Sequence, residues 1–356
     1  MNKIINLKKF YKNKKILITG HTGFVGSWLS FLMLNFNCRL YGISKKNCKN
    51  SQNYQILSIS RKFKKEFFID INNFTLLEKK INFIKPDVIF HLAAQSYVLE
   101  GYNNPLDTFM TNIIGTANLL KSSIKNKVKH NIIITTDKCY VNENKKLRFK
   151  ENSKLGGDDP YSASKACAEI ISNSIAKSFS NKKIYIDTVR AGNILGGGDF
   201  GSNRLIPDIV LSKKRNENLT IRYPNAIRPW QNVLDVIIAY SLIPLNQIKR
   251  SKNFEAWNVG PRSREKTVRV IELVNNFLHS FNFKKKIIIK KSKIKEKEIL
   301  ILDSSKIRKH IKWDTQFKIS ETIEQICTWY KLYLTKNKKE LLKYSNKLIN
   351  DILKKI

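Results

Sequence analysis

The sequence predicts an α/β fold: a doubly wound parallel sheet with a smaller, interleaved C-terminal lobe. Three observations carry this prediction. Short apolar runs alternate with helical patterns through the first half of the chain, the signature of βαβ units. The first run, Lys15–Thr19, opens into Gly20-His21-Thr22-Gly23-Phe24-Val25-Gly26 and then into a long apolar helical stretch. Another run, Asn131-Ile132-Ile133-Ile134, leads straight into Thr135-Thr136-Asp137-Lys138-Cys139-Tyr140. It sets a hydroxyl, an acid and an amine at the carboxyl end of a buried strand, where open α/β sheets bind ligands.

Composition narrows the class. The 356 residues are 42% apolar, enough for a packed core and too apolar for a disordered chain. No run of about 18 apolar residues occurs, so a membrane span is not expected. The N-terminal stretch shows no signal-peptide core. Cys38, Cys48, Cys139, Cys167 and Cys327 form no CxxC pair, which argues against a metal site or a disulfide framework and suits a reducing cytoplasm. The formal net charge is +38. Nucleic acid or an anionic membrane could answer such a charge. The lysines are spread over the whole length, however, and Asn and Ile are abundant too, as AT-rich codon usage would give. The excess therefore reads as compositional, with no nucleic acid and no membrane expected as partner.

Taken in order, the first glycine-rich turn lies between a strand and a helix at 27–36. That context lets phosphates approach the backbone and rest on a helix N-terminus. Its spacing is GxxGxxG, where GxGxxG is the commoner form. The strand at 39–43 ends in Ser44-Lys45-Lys46, without the acidic residue that usually bonds the adenosine ribose. Its lysines could suit a ribose 2′-phosphate, so this point alone does not separate NAD from NADP. A third strand, 66–69, ends in Asp70, fit for an adenine edge or for capping its own loop. A helix at 74–85 is stopped by Pro86 before the strand 87–91. The small residues of Leu92-Ala93-Ala94-Gln95-Ser96 then allow a cofactor close, while His91 reads as structural. A long helix is predicted over 105–125, with Asn112 and Thr116 on one face. The polar loop 142–160 has the length of a functional lid.

Tyr161-Ser162-Ala163-Ser164-Lys165 opens a helix predicted to run to about 180, and its Tyr and Lys, four apart, share a face. A Lys cation there favours the phenolate of Tyr161, which can take a proton from an alcohol as a nicotinamide takes the hydride. The strand 184–190 closes this half. Beyond it lie Asn193, a second glycine cluster at Gly196-Gly197-Gly198, a helix opening at Arg204, a strand at 219–222 and the loop Arg228-Pro229-Trp230. A planar Arg fork beside a Trp can clamp a diphosphate. A further helix starts near Thr267. The Lys-rich end, from Thr328, reads as an amphipathic helix or pair forming a solvated appendage.

In this order, TGHTGFVGSWLS, FHLAAQ, TTDKCY, YSASK, VRAGNILGGGD and IRPWQNV resemble the extended short-chain dehydrogenase/reductase family, and within it the CDP-glucose 4,6-dehydratase group. The resemblance spans roughly 11–330. It implies a Rossmann-type NAD domain, mainly 1–190, a nucleotide-sugar lobe, mainly 191–335, and a helical tail over 336–356. It implies NAD held by Gly20, Thr22, Gly23, Phe24, Val25, Gly26, Asp70, Ile71, Leu92, Ala93 and Ala94, with Tyr161 and Lys165 at its nicotinamide end. Gln95, Asn193, Arg204, Arg228 and Trp230 are implied as contacts for CDP-glucose. Relatives acting on dTDP-glucose usually carry Glu at the place of Lys138. Another departure is Glu296-Lys297-Glu298-Ile299, where the family usually has Pro-His-Glu-Ala.

The implied chemistry has three parts. Tyr161 takes the 4-hydroxyl proton, oriented by Thr136, as C4 is oxidised. Lys138 removes the C5 proton and Asp137 protonates the departing 6-hydroxyl. Hydride returns to C6. The product is a 4-keto-6-deoxy sugar and the cofactor is regenerated, while long helices near 105–125 and 161–180 are expected to form a homodimer. A dehydratase or epimerase for another nucleotide sugar is the alternative; an epimerase has no need of an acid at a 6-hydroxyl. A non-catalytic nucleotide sensor on the same fold is the reading from a different class, against which the intact Tyr161–Lys165 pair speaks.

Overall fold

Seven parallel strands build the central sheet: β1 (Lys15–Thr19), β2 (Arg39–Ser44), β3 (Lys65–Phe68), β4 (Val88–His91), β5 (His130–Ile134), β6 (Tyr185–Ala191) and β7 (Phe254–Val259). Their spatial order is β7-β6-β5-β4-β1-β2-β3. The chain winds from β1 outward to β3, then returns to β4 on the other side of β1. That reversal is a topological switch point, and the crevice above it is where this architecture binds ligands. The structure, a computed structural model, describes residues 3–48, 51–179, 183–247, 251–262, 267–290 and 296–356.

Strand alternation sends side chains to both faces. Ile16, Ile18, Phe90 and Ile132 join a large core on one side, and Leu17, Ile89 and Ile133 join Leu77, Ile81 and Leu119 on the other. Burial on both faces explains why these strands read as continuous apolar runs. The covering helices begin and end where local chemistry dictates. Asn73 accepts from Leu76 N at the start of the helix Phe74–Ile84, and Lys85, in the left-handed region, ends it just before Pro86. Asp159 caps the helix Pro160–Ser178 by accepting from Ser162 N at 2.9 Å, with Pro160 in the first turn.

Three expectations change. The stretch predicted as one helix over 105–125 is two α-helical pieces, Pro105–Phe109 and Gly115–Lys125, joined by a π-helical turn at Met110–Ile114. The loop 142–160 is fastened to the small lobe: Arg148–Phe149 pairs with Ile301–Leu302, and Asn142 Nδ2 donates to Ile299 O at 2.7 Å. Lid-like length therefore does not make it a free flap. The C-terminal end is no solvated appendage. Helices Ile319–Leu334 and Lys338–Lys355 bury Trp329, Leu341, Leu348, Ile349 and Ile352 in the main core. Its lysines occupy the opposite face of an amphipathic helix. The second glycine cluster is part of this packing, since a Cβ at Gly197 would lie 2.2 Å from the Trp329 ring. Among the described residues no helix is long and apolar enough to cross a membrane.

Candidate active site

The first glycine-rich turn is held tightly against the exit of β4. Gly20 has φ +70°, and a Cβ there would lie 2.7 Å from Ala93 N. A Cβ at Gly26 would sit 2.2 Å from Gly20 O. Thr19 ties the two strand ends together, its O accepting from Leu92 N at 3.1 Å and its Oγ1 from Ala93 N at 3.2 Å. The helix Phe24–Met33 starts at Gly23 without a side-chain cap, so its first N–H groups are open to an anion. Phe24 and Val25 are half-buried in its first turn, and Thr22 is buried. At the end of β3, Asp70 accepts from Asn72 N at 2.9 Å, which caps its own loop, and pairs with Lys45 at 3.2 Å. Ile71 is buried against the space that Gly115 leaves free. These residues fit a dinucleotide: a glycine cradle, an open helix N-terminus, and the small residues Ala93 and Ala94 lying between.

The catalytic candidates gather at the end of β5. Lys165 Nζ donates to Ile134 O at 2.9 Å, and the Tyr161 hydroxyl bonds Thr136. Burial pushes the Tyr161 phenol up to about 12, against the lowering effect of the Thr136 hydroxyl beside it. Burial also lowers the Lys165 ammonium to about 8, partly offset by Glu169. The expected depression of the Tyr161 phenol by Lys165 is therefore not what this chain shows on its own. Asp137, 1% exposed, accepts from Thr136 Oγ1 at 3.1 Å and from Lys138 Nζ at 3.3 Å through Oδ1. Its Oδ2 is buried and has no partner among the described residues. Lys138 also reaches Asn193 Oδ1 at 3.4 Å.

The loop rests on a buried network that sequence reasoning missed. Tyr161, Lys165 and Glu169 share one helix face at four-residue spacing. Glu169 accepts from Thr135, from Thr188 at 2.6 Å and from Arg190 at 2.7 Å. Burial opposes the Arg190 charge, yet the Glu169 carboxylate raises its pKa overall. An acid four places beyond Lys165 on that same face was the available signal. The π-helical turn was also missed. It carries Asn112, whose Oδ1 accepts from Gln95 N and whose Nδ2 donates to Gln95 O and Ser164 Oγ, each at 2.9 Å. Gln95 is thereby fixed beside the Tyr161 helix. His91 bridges Thr19 at 2.7 Å and Thr116 at 3.1 Å, and burial with the Lys165 charge holds it down to about 3. It is a neutral structural residue, as expected.

Arg204 pairs with Asp199 at 3.1 Å, lies over the Tyr97 ring at 4.8 Å and donates to Ser96 at 3.4 Å. Trp230 pairs along the backbone with Asn193, the residue that Lys138 reaches, and Arg228 lies on the short strand just before it. Arg228 pairs with Glu296 at 3.3 Å and donates to the carbonyls of Ile227 and Glu298. Trp230 Nε1 donates to Val268 O at 3.0 Å. Neither residue bonds the Tyr161 cluster directly.

The doubly wound sheet, its glycine cradle and the Tyr161–Lys165 helix form the epimerase/dehydratase type of α/β fold. A family model described as GDP-mannose 4,6 dehydratase matches residues 17–326, and the chain belongs to that family. It is 34% identical to a CDP-glucose 4,6-dehydratase of Salmonella typhimurium, over 92% of this chain and 93% of that protein. Among solved structures it is similar to a UDP-glucose 4-epimerase of Thermotoga maritima, with TM-score 0.80 and 22% identity over 90% of this chain and 99% of that one. It is also similar to a dTDP-glucose 4,6-dehydratase of Bacillus anthracis, solved in complex with NAD, with TM-score 0.78 and 23% identity over 93% of this chain and 99% of that one.

Proposed function

We propose that the chain is a nucleotide-sugar 4,6-dehydratase that acts on CDP-glucose with NAD as resident cofactor. One observation carries the reading: Thr136, Asp137 and Lys138 meet Tyr161 at the end of β5, in a chain 34% identical to a CDP-glucose 4,6-dehydratase. An epimerase would have no use for the buried acid with a free oxygen that Asp137 supplies.

NAD, when bound, supplies a hydride acceptor and a positive ring beside Tyr161. The turn Gly20 to Gly26 and the strand exits at Asp70, Ile71 and Leu92–Ala94 hold it. Tyr161 takes the 4-hydroxyl proton, and Thr136 orients that hydroxyl. Oxidation at C4 makes the C5 hydrogen acidic. Lys138 takes that proton. Asp137 delivers a proton to the 6-hydroxyl as water leaves, and the hydride taken from C4 goes back to C6, so that the overall change is loss of water alone. Gln95, Asn193, Arg204, Arg228 and Trp230 line the path of the sugar and its diphosphate. Residues 1–190 then serve mainly the cofactor, 191–335 mainly the nucleotide sugar, and 336–356 pack behind them. Leu106, Met110, Ile114 and Ile170 expose apolar surface on the helices expected to pair in a homodimer. The cytoplasm is the proposed compartment.

Incubation with CDP-, UDP-, dTDP- and GDP-glucose, read by the absorbance of the 4-keto product in alkali, tests the reading. CDP-glucose should give product without added reductant. A 4-epimer in place of the 4-keto sugar would overturn it. Product from another nucleotide only would keep the dehydratase and change its substrate.

A further inference from the structure

The sequence leaves a gap at the dinucleotide site: β2 ends in Ser44-Lys45-Lys46, with no carboxylate to accept from an adenosine ribose. The structure offers one from the next strand. Glu66 lies on β3 opposite Gly42, two residues before Phe68, which pairs with Ser44. It stands about 7 Å short of the strand end, too deep to meet a ribose itself. His21, the second residue of the glycine-rich turn, spans the distance. Its Nε2 is 2.8 Å from Glu66 Oε1 and its Nδ1 is 3.0 Å from Ser44 Oγ. The ring is fully buried and fills space that a glycine leaves open, since a Cβ at Gly42 would fall 2.7 Å from it. Tyr54 donates to the same Glu66 oxygen, and burial together with that carboxylate raises its phenol, keeping the proton on. Thr22 Oγ1 donates to Ser44 Oγ at 3.1 Å.

A carboxylate only accepts, so the Nε2 hydrogen of His21 goes to Glu66, and with the ring neutral Nδ1 accepts. The Ser44 hydroxyl then points at Nδ1, and the Thr22 hydroxyl points at Ser44. Both turn their hydrogens inward. We propose that Glu66, His21 and Ser44 together replace the missing carboxylate, a positioning relay that makes this rim accept hydrogen bonds and select a ribose 2′-hydroxyl over a 2′-phosphate. A 2′-hydroxyl can donate to the rim. A 2′-phosphate cannot, and meets the Glu66 charge behind it. Lys45, whose pair with Asp70 at 3.2 Å is open to solvent on both sides, pulls the other way, and the ratio of NAD to NADP affinity reads the balance. The inference rests on the dinucleotide reading above and deepens it: these residues choose NAD over NADP.

The test is calorimetric titration of the full chain, stripped of nucleotide, with NAD, NADP and 2′-deoxy-NAD. NAD should bind about tenfold tighter than either of the others, the size of one well-made hydrogen bond. In Ser44→Ala, NAD and 2′-deoxy-NAD should bind alike. In Glu66→Gln, an isosteric change, the ratio of NAD to NADP affinity should narrow by several-fold. These are ratios, which a general loss of stability would not move. Equal binding of NAD and NADP by the wild type overturns the inference, as does a Ser44→Ala that keeps its preference for NAD over 2′-deoxy-NAD, or a Glu66→Gln that keeps the full ratio. Binding of none of the three removes the dinucleotide reading itself, and the relay with it.

Discussion

The floor of the catalytic loop and the edge of the small lobe are both built on arginine–carboxylate pairs, and the two kinds of pair differ in burial. Arg190 and Glu169 are sealed, with side chains 3% and 1% exposed. Arg228 is buried too, but its partner Glu296 is 33% exposed, and in the Arg204–Asp199 pair it is the arginine that is 33% exposed. A sealed pair is costly to break, because the remaining charge has no water to turn to. A pair with one open partner contributes little to stability. A diphosphate, with more charge and more acceptors than one carboxylate, can take such an arginine over. The first region is scaffold; the second is the proposed binding edge, whose arginines are held by carboxylates in the chain alone.

The largest effect belongs to the sealed side. Tyr161→Phe keeps the ring and removes the base, so C4 oxidation should fall about 10²–10⁴-fold. The measurement is turnover of CDP-glucose with the fold checked by circular dichroism. Near-normal turnover would mean the base has been misassigned.

Arg190→Met leaves Glu169 buried without its cation and should cost about 3–5 kcal/mol of stability. Glu296→Gln, the matching change at the open edge, should cost under about 1 kcal/mol. Denaturant unfolding compares them directly, and equal losses would erase the distinction between the two regions.

At the binding edge the effect should appear in substrate affinity. Arg228→Lys replaces a planar fork by a point charge and should raise KM by about tenfold with kcat nearly kept. An unchanged KM would leave Arg228 as a structural charge held by Glu296 and two carbonyls.

A further effect is in the pH dependence of stability. Burial lowers His91 from its ordinary 6.5 to about 3. Between those values the unfolded chain takes a proton that the folded chain refuses. This contribution is complete above pH 6.5 and is lost as the pH falls toward 3, at up to about 1.4 kcal/mol per pH unit. The stability difference between wild type and His91→Asn should therefore shrink as the pH falls through that window. A difference that stays constant would place the His91 titration elsewhere.

The same contrast explains what could be read in the sequence. Strand runs, the glycine-rich turn, Thr136-Asp137-Lys138 and Tyr161–Lys165 are local patterns, each set by a short stretch and by burial on both faces of a sheet. The partners of those residues are not local. Glu169 with Arg190, and Arg228 with Glu296, meet across gaps of 21 and 68 residues. His21 stood in plain sight in the glycine-rich turn, but its role depends on Glu66, 45 residues on. The tail misled because its lysines dominate the composition, while every third or fourth residue is apolar and turned inward. The π-helical turn left no mark that periodicity could resolve, since its 5 residues are too few to show a period of their own.

The central claim is a division of labour at the end of β5: Tyr161 serves the oxidation, and Lys138 with Asp137 serves the elimination. Lys138→Met separates them. The variant is given stoichiometric CDP-glucose in deuterated buffer, with reduced nicotinamide followed by absorbance and deuterium at C5 by NMR. Reduced nicotinamide should form, because Tyr161 and Lys165 are intact, while C5 takes up no deuterium and no water is lost. Normal C5 exchange in Lys138→Met would contradict the claim and leave Lys138 as an electrostatic partner of Asp137.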